Sequence, residues 1–171
     1  MSRNNIILLF TFLVLVPLQV LFFKHLALFD LGFCFLYVFF LLLLPIETSA
    51  LLAMGISFFA GLVVDLFGST LGIHAASSVF IMFLRPYWLR LIVPRSGFEV
   101  NYLPMIANYG LAWFVIYAAP LLLVHAAAVF FIESAGSGVL WLTLSKIGLT
   151  AVVTLVYMTA LQYLFYTKPK S

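Results

Sequence analysis

Long apolar runs with almost no charged residues constrain this chain more than any other feature of its sequence. Of its 171 residues, 66% are hydrophobic and only 8% are charged, and the mean hydropathy is +1.26. Charged residues normally supply about a quarter of a globular protein. Lipid is therefore the solvent that fits this chain, and helices are the element that apolar runs of this length form in lipid. We predict an all-α polytopic membrane protein, with one integral membrane domain over residues 1–171.

Six segments are apolar enough to form membrane-spanning helices, which need about 20 mostly apolar residues each. The first, at residues 5–23, follows Arg3 as in a signal peptide, but no small-residue cleavage site comes after it. We therefore interpret it as an uncleaved helix. The other five predicted helices occupy residues 26 or 31–44, 48–67, 71–84 (or to 93), 103–131 and 139–166.

The distribution of Lys and Arg predicts the orientation, because cytoplasmic loops are enriched in these residues. With six helices, both termini lie on one side, together with Arg3, Arg85, Arg90, Arg95, Lys168 and Lys170. Lys24 lies on the other side. We therefore expect both termini to be cytoplasmic. We also expect segment 85–102 to lie in the headgroup layer, with its arginines reaching phosphates.

Several function classes find no support in the sequence. The single cysteine, Cys34, has no partner for an intrachain disulfide and no metal-ligand spacing around it. No basic helix or aromatic strand platform indicates nucleic-acid binding. Ser69 and Thr70 lie close to Asp65 and His74 but have no recognisable hydrolase context, and one Asp with one His is too few ligands for zinc. We expect a protein that is not an enzyme, holds no cofactor and binds no nucleic acid.

The stretch "GLVVDLFGSTLGIHA", residues 61–75, carries most of the polar residues in its neighbourhood. An aspartate in the bilayer is costly, although the cost falls toward the interface. Small residues recur every fourth position before it, which lets helix backbones approach closely in lipid. Glycines flank a short turn, where positive φ is permitted. The predicted hairpin has a small-residue seam of Ala53, Ser57, Gly61 and Asp65, a turn flanked by Gly68 and Gly72, and His74 opening the next helix.

Three interpretations of Asp65 and His74 stay open from the residues alone. Asp65 caps the following helix or bonds the turn amides, and His74 is an interfacial residue. Alternatively, the pair belongs to a docking surface for another membrane protein, or it is catalytic or relays protons. Lys146 is expected to snorkel to the outer headgroups, with an ion pair to Asp65 as the alternative. His125 is expected to be a helix-packing residue.

The segment "FFAGLVVDLFGSTLGIHAASSVFIMFL", residues 58–84, resembles the signature region of the rod shape-determining protein MreD family. That family has a third-helix "GLLxDLF" pattern, a glycine turn and "LGxHA" opening the next helix. Gly61, Asp65, Gly68, Leu71, Gly72, His74 and Ala75 match by position. Pro45, the length of the chain and the plan of six apolar runs fit as well.

This resemblance implies a non-enzymatic subunit of the bacterial cell-elongation machinery in the inner membrane. MreD-like proteins are thought to bind MreC, and to connect MreB filaments with the peptidoglycan synthase RodA and a penicillin-binding protein. Their fold is thought to be similar to the S component of energy-coupling-factor transporters. The seam from Ala53 to Asp65 would then suit a partner helix.

A second hypothesis on the same plan is a substrate-binding membrane subunit of a vitamin-type transporter. It predicts a ligand pocket on the outer side, near Asp65 and His74, and a cytoplasmic surface for an energising module. Few polar residues are present to line such a pocket, which counts against this hypothesis.

Overall fold

The computed structural model describes residues 3–23, 32–94, 97–98, 102–134 and 139–165, most of them helical. The first helix is extended by a π-helical turn at Gln19–Phe23. The helices of the described ranges are α1 (Arg3–Leu18), α2 (Tyr37–Leu42), α3 (Ala50–Gly68), α4 (Ile73–Leu91), α5 (Ile106–Tyr109), α6 (Leu111–Ser134) and α7 (Leu140–Phe165).

Three of these helices, α3, α6 and α7, are long and apolar enough to cross a membrane. The predicted membrane-protein character and helical class are therefore confirmed. The apolar part of α1, Ile6–Leu21, is shorter than a span. α4 has 19 residues but contains Arg85 and Arg90. The count of six spans stays a prediction.

The second predicted span is wrong as a continuous helix in the part that the structure describes. Residues 32–36 are not helical, and α2 has only six residues. Every residue from Cys34 to Leu44 is buried. We call residues 32–44 the central segment. An apolar run reads the same whether it contacts lipid or protein, so hydropathy could not distinguish a buried short segment from a spanning helix.

The extended half of the central segment obtains hydrogen-bond partners from side chains. The Phe33 and Phe35 N–H groups donate to the hydroxyl oxygens of Thr150 and Thr154, at 3.0 and 3.1 Å. The Leu36 N–H group donates to Gln19 Oε1 at 2.7 Å. The two threonines are four residues apart on α7 and thus share one face. Non-helical backbone at membrane depth is tolerated only when protein or water satisfies it, and here these side chains do so.

At the other end of the central segment, Arg85 of α4 satisfies carbonyl groups beyond α2. Its guanidinium donates to the Leu44 and Pro45 carbonyls and, at 2.7 Å, to the hydroxyl of Tyr117. Tyr117 in turn donates to the Leu42 carbonyl at 2.8 Å. The last carbonyls of a helix lack intrahelical partners and attract a cation.

The expected contact of Arg85 with lipid phosphates is therefore wrong, since the residue is only 2% exposed. α4 continues past Pro86 to Leu91, which brings Arg85 into the core. Arg90 is exposed, as expected, and Arg95 lies outside the described residues.

The fifth predicted span, at residues 103–131, divides at Gly110. This glycine has φ 85°, in the left-handed region, and separates α5 from α6. α6 then runs through Pro120, which has no N–H group to bond the carbonyl four residues earlier, that of Ile116. The Trp88 indole N–H donates to that carbonyl at 3.2 Å. A neighbouring helix thus compensates for the proline.

Candidate functional site

The hairpin of α3 and α4 forms around a tight left-handed turn. The Ser49 side chain caps the start of α3 by accepting from the Leu52 N–H group. α3 ends at Ser69, whose φ of 56° is left-handed, and Gly72, with φ 81°, precedes α4. The positive φ predicted for a turn glycine is confirmed at Gly72, whereas Ser69 takes the other left-handed position. Gly68 stays in α3, beside the Thr70 side chain.

Asp65 joins the end of α3 to the start of α4. Its Oδ1 accepts from the His74 N–H group at 3.1 Å, and its Oδ2 accepts from the Ala75 N–H group at 2.9 Å. The Thr70 hydroxyl donates to Oδ1 at 2.5 Å, and His74 Nδ1 lies 2.9 Å from the same oxygen. The first N–H groups of a helix lack intrahelical partners, and a carboxylate there is favourable.

The predicted proximity of Asp65 and His74 is thus confirmed, and so is the capping interpretation of Asp65. An ionised carboxylate only accepts hydrogen bonds, so the geometry places a proton on His74 Nδ1. The alternative ion pair between Asp65 and Lys146 does not form, because the carboxylate is occupied by the hairpin.

At Gly61 the backbone of α3 lies directly against the backbone of α4. A Cβ atom at Gly61 would lie 2.5 Å from Ala75 Cα, 2.6 Å from Ala75 N and 2.7 Å from the His74 carbonyl oxygen. These are backbone atoms, so no side-chain rotation could relieve the contact. The close approach predicted from the small residues is confirmed here.

The small-residue seam is not an open surface. Ala53, Ser57 and Asp65 are at most 3% exposed, and Gly61 is buried. The interpretation of the seam as a surface for a partner helix is wrong in this conformation, because α4 of the same chain covers it. Spacing identifies a face that admits close packing, but it does not identify which helix packs there.

A second polar cluster, which the sequence did not predict, lies inside the bundle. Tyr37 Oη lies 2.7 Å from His125 Nε2 and 3.0 Å from Ser78 Oγ. His125 is completely buried, as expected for a packing residue, but its Nδ1 has no hydrogen-bond partner among the described residues. The Phe35 ring lies against the imidazoles of both His74 and His125, with ring centroids 5.5 and 5.2 Å apart.

A cavity of about 240 Å³ opens beside the hairpin, with His74 in its wall. We call it the His74 cavity. Its lining combines aromatic and aliphatic side chains with a few polar ones. The residues that matter below are Phe33, Cys34, Phe35, His74, Phe130 and Glu133.

Lys146 lies next to this cavity. Its Nζ is 5.9 Å from the ring centroids of both Phe33 and Phe130, two lining residues. No carboxylate among the described residues lies within ion-pair distance of Lys146.

The polar groups around His74 Nδ1 hold the hairpin together. The Thr70 hydroxyl, the nucleophile nearest to His74, donates its proton to Asp65 and lies 3.2 Å from Nδ1. The Thr70 hydroxyl and His74 Nδ1 are thus both engaged in hydrogen bonds of the hairpin. Among the residues that the structure describes, no three His, Cys, Asp or Glu side chains could hold a metal ion together.

Comparison of the chain with models of known protein families, with curated proteins and with solved structures finds no match. The resemblance of residues 58–84 to the MreD family therefore stays a prediction.

Proposed function

We propose that the chain is a non-enzymatic membrane subunit of the bacterial cell-elongation complex. The observation that carries the proposal is the way in which the signature stretch forms one structural unit. Gly61 permits the helix contact, Asp65 caps α4, Gly72 makes the turn, and His74 bonds Asp65. A motif whose residues build a hairpin of this kind fits an assembly subunit.

In this proposal an MreC-like membrane protein is the direct partner, and MreB, RodA and a penicillin-binding protein are reached through the complex. The protein sits in the inner membrane with both termini in the cytoplasm, and six passes of the chain form an S-component-like bundle. It regulates cell shape by supporting peptidoglycan synthesis.

Because α4 covers the seam, we assign the partner helix to the exposed face of the α3–α4 hairpin. A shallow apolar groove runs there between α3 and α4. Phe58 and Phe80 are exposed along it, and the small residues Gly72 and Ala76 leave room for a close helix contact. The partner that fits this groove is a single apolar transmembrane helix.

Co-purification in mild detergent tests this proposal. Wild-type protein should recover an MreC-like partner. Ala76→Leu fills the groove and should lose it, whereas Ala160→Leu makes the same change on an exposed site of α7 and should retain it. Recovery by wild type and both variants would move the contact to another face. Absence of an MreC-like protein from every preparation would refute the proposal.

A second candidate function is the substrate-binding subunit of a small-molecule transporter. The observation that favours it is the His74 cavity, which lies where that hypothesis expects a pocket. It predicts recovery of an energising ATPase module in place of an MreC-like protein. The same co-purification experiment therefore distinguishes the two.

A further inference from the structure

We propose that the His74 cavity binds a small amphipathic anion, with its acidic group beside Lys146 and its apolar body against the phenylalanines of the wall. This inference does not depend on a role in cell elongation.

The wall of the cavity fits an apolar body. Phe33, Phe35 and Phe130 contribute aromatic rings, with ring centroids 5.6 Å apart for Phe33 and Phe130. The volume of about 240 Å³ lies just below the range of about 300–1,000 Å³ for ligand pockets, so the ligand must be small.

Lys146 supplies the reason for a negative charge. Lys146 is half-buried, and its ammonium group lies 5.9 Å from the centroids of two aromatic rings of the wall, within the cation–π range of about 6 Å. No described carboxylate pairs with it. A half-buried cation is expensive without a counter-ion, and an acidic group in the adjacent cavity would supply one.

The other ionisable groups of the wall set the polarity of the site. His74 uses Nδ1 in the hairpin, and its Nε2 makes no hydrogen bond with the described residues, so it is left to face a ligand. Glu133 is exposed at the rim. Its negative charge opposes the entry of an anion. Glu133→Gln is therefore a matched variant, because neutralising Glu133 should favour anion entry whereas neutralising Lys146 should disfavour it.

Cys34 provides a local probe, because it lines the cavity and is the only cysteine of the chain. Purified protein in neutral phosphatidylcholine nanodiscs is treated with two thiosulfonate reagents of similar size, the anionic sulfonatoethyl and the cationic trimethylammonium-ethyl reagent. The ratio of their rates at Cys34 measures the preference of the cavity for an anion, with the rates on free cysteine as the reference.

We expect this ratio to favour the anionic reagent, and to fall about tenfold in Lys146→Gln, the scale expected for one charge a few ångströms away. Glu133→Gln should raise it, and Lys146→Arg should keep it. An unchanged ratio in Lys146→Gln, or no reaction of Cys34 with either reagent, would overturn the proposal.

Protection of Cys34 tests occupancy by the whole ligand class. Naphthoate should slow the reaction of Cys34 in wild-type protein more than neutral naphthalenemethanol does, and Lys146→Gln should remove this difference. Adding phosphatidylglycerol to the nanodiscs distinguishes two sources of the acidic group. If the lipid slows the reaction of Cys34 in wild type but not in Lys146→Gln, the group is a lipid headgroup. If the lipid changes neither rate, the ligand is a free acid. Equal protection by the acid and the alcohol would overturn the proposal.

Discussion

A Cβ atom at Gly61 should destabilise the protein, because it meets the backbone of α4. In Gly61→Ala the new atom would lie 2.5–2.7 Å from three backbone atoms of His74 and Ala75. An ordinary carbon contact is about 3.5–4.0 Å, so α4 must move by about 1 Å. That shift would stretch the 2.9 Å hydrogen bond from Ala75 to Asp65 beyond the ~3.5 Å at which it counts as a bond.

The magnitude follows from these two effects. Overpacking typically costs about 1–3 kcal/mol, and a weakened hydrogen bond to a charged group adds about 1 kcal/mol or more. We expect Gly61→Ala to lower the free energy of unfolding by at least ~2 kcal/mol. For a chain of this size that corresponds to a fall in Tm of about 4–8 °C.

The assay heats detergent-solubilised protein in steps and measures, by size-exclusion chromatography, the fraction that stays monodisperse, from which Tm is read. Gly55→Ala is the control. Gly55 lies on the same helix, and a Cβ atom added there meets no atom of a neighbouring element within 4 Å. Alanine is also the better helix former by about 1 kcal/mol, so Gly55→Ala should not lower Tm. Equal Tm values for the two variants would refute the close contact between α3 and α4.

Three further substitutions probe the hydrogen bonds of the central segment and α6, each by the same thermal assay. Thr150→Val leaves the Phe33 N–H group unpaired and should cost about 1–3 kcal/mol, whereas Thr159→Val, whose hydroxyl bonds only its own helix, should cost less than half as much; equal losses would contradict this role of α7. Arg85→Lys keeps the charge but not the planar fork that reaches two carbonyls and a hydroxyl, so Tm should fall by several degrees, and an unchanged Tm would contradict the capping role. Trp88→Phe removes the donor to the carbonyl freed by the proline of α6 and should cost about 1 kcal/mol, with no loss as the contradicting result.

The sequence was informative where local rules decide the structure. Helical class, the turn at Gly72 and the close packing at Gly61 follow from glycine geometry and small-residue spacing. The contact of Asp65 with His74 follows from the short turn between them.

The sequence failed where distant parts of the chain decide. The burial of Arg85 depends on carbonyl groups about 40 positions away in the sequence. The hydrogen bond of the Phe33 N–H group depends on Thr150, which is 117 positions away. Neither contact leaves a local pattern. The burial of the seam required knowledge of which helix lies opposite, and hydropathy treats protein and lipid neighbours alike.

The central claim, a role in cell elongation, is tested most directly by depleting the protein in its native host and measuring the ratio of cell length to width. We predict that depleted cells widen and round up. Wild-type protein and Ala160→Leu should restore rods, while Ala76→Leu should accumulate in the membrane without restoring them. Cells that keep their width and length after complete depletion would contradict the account.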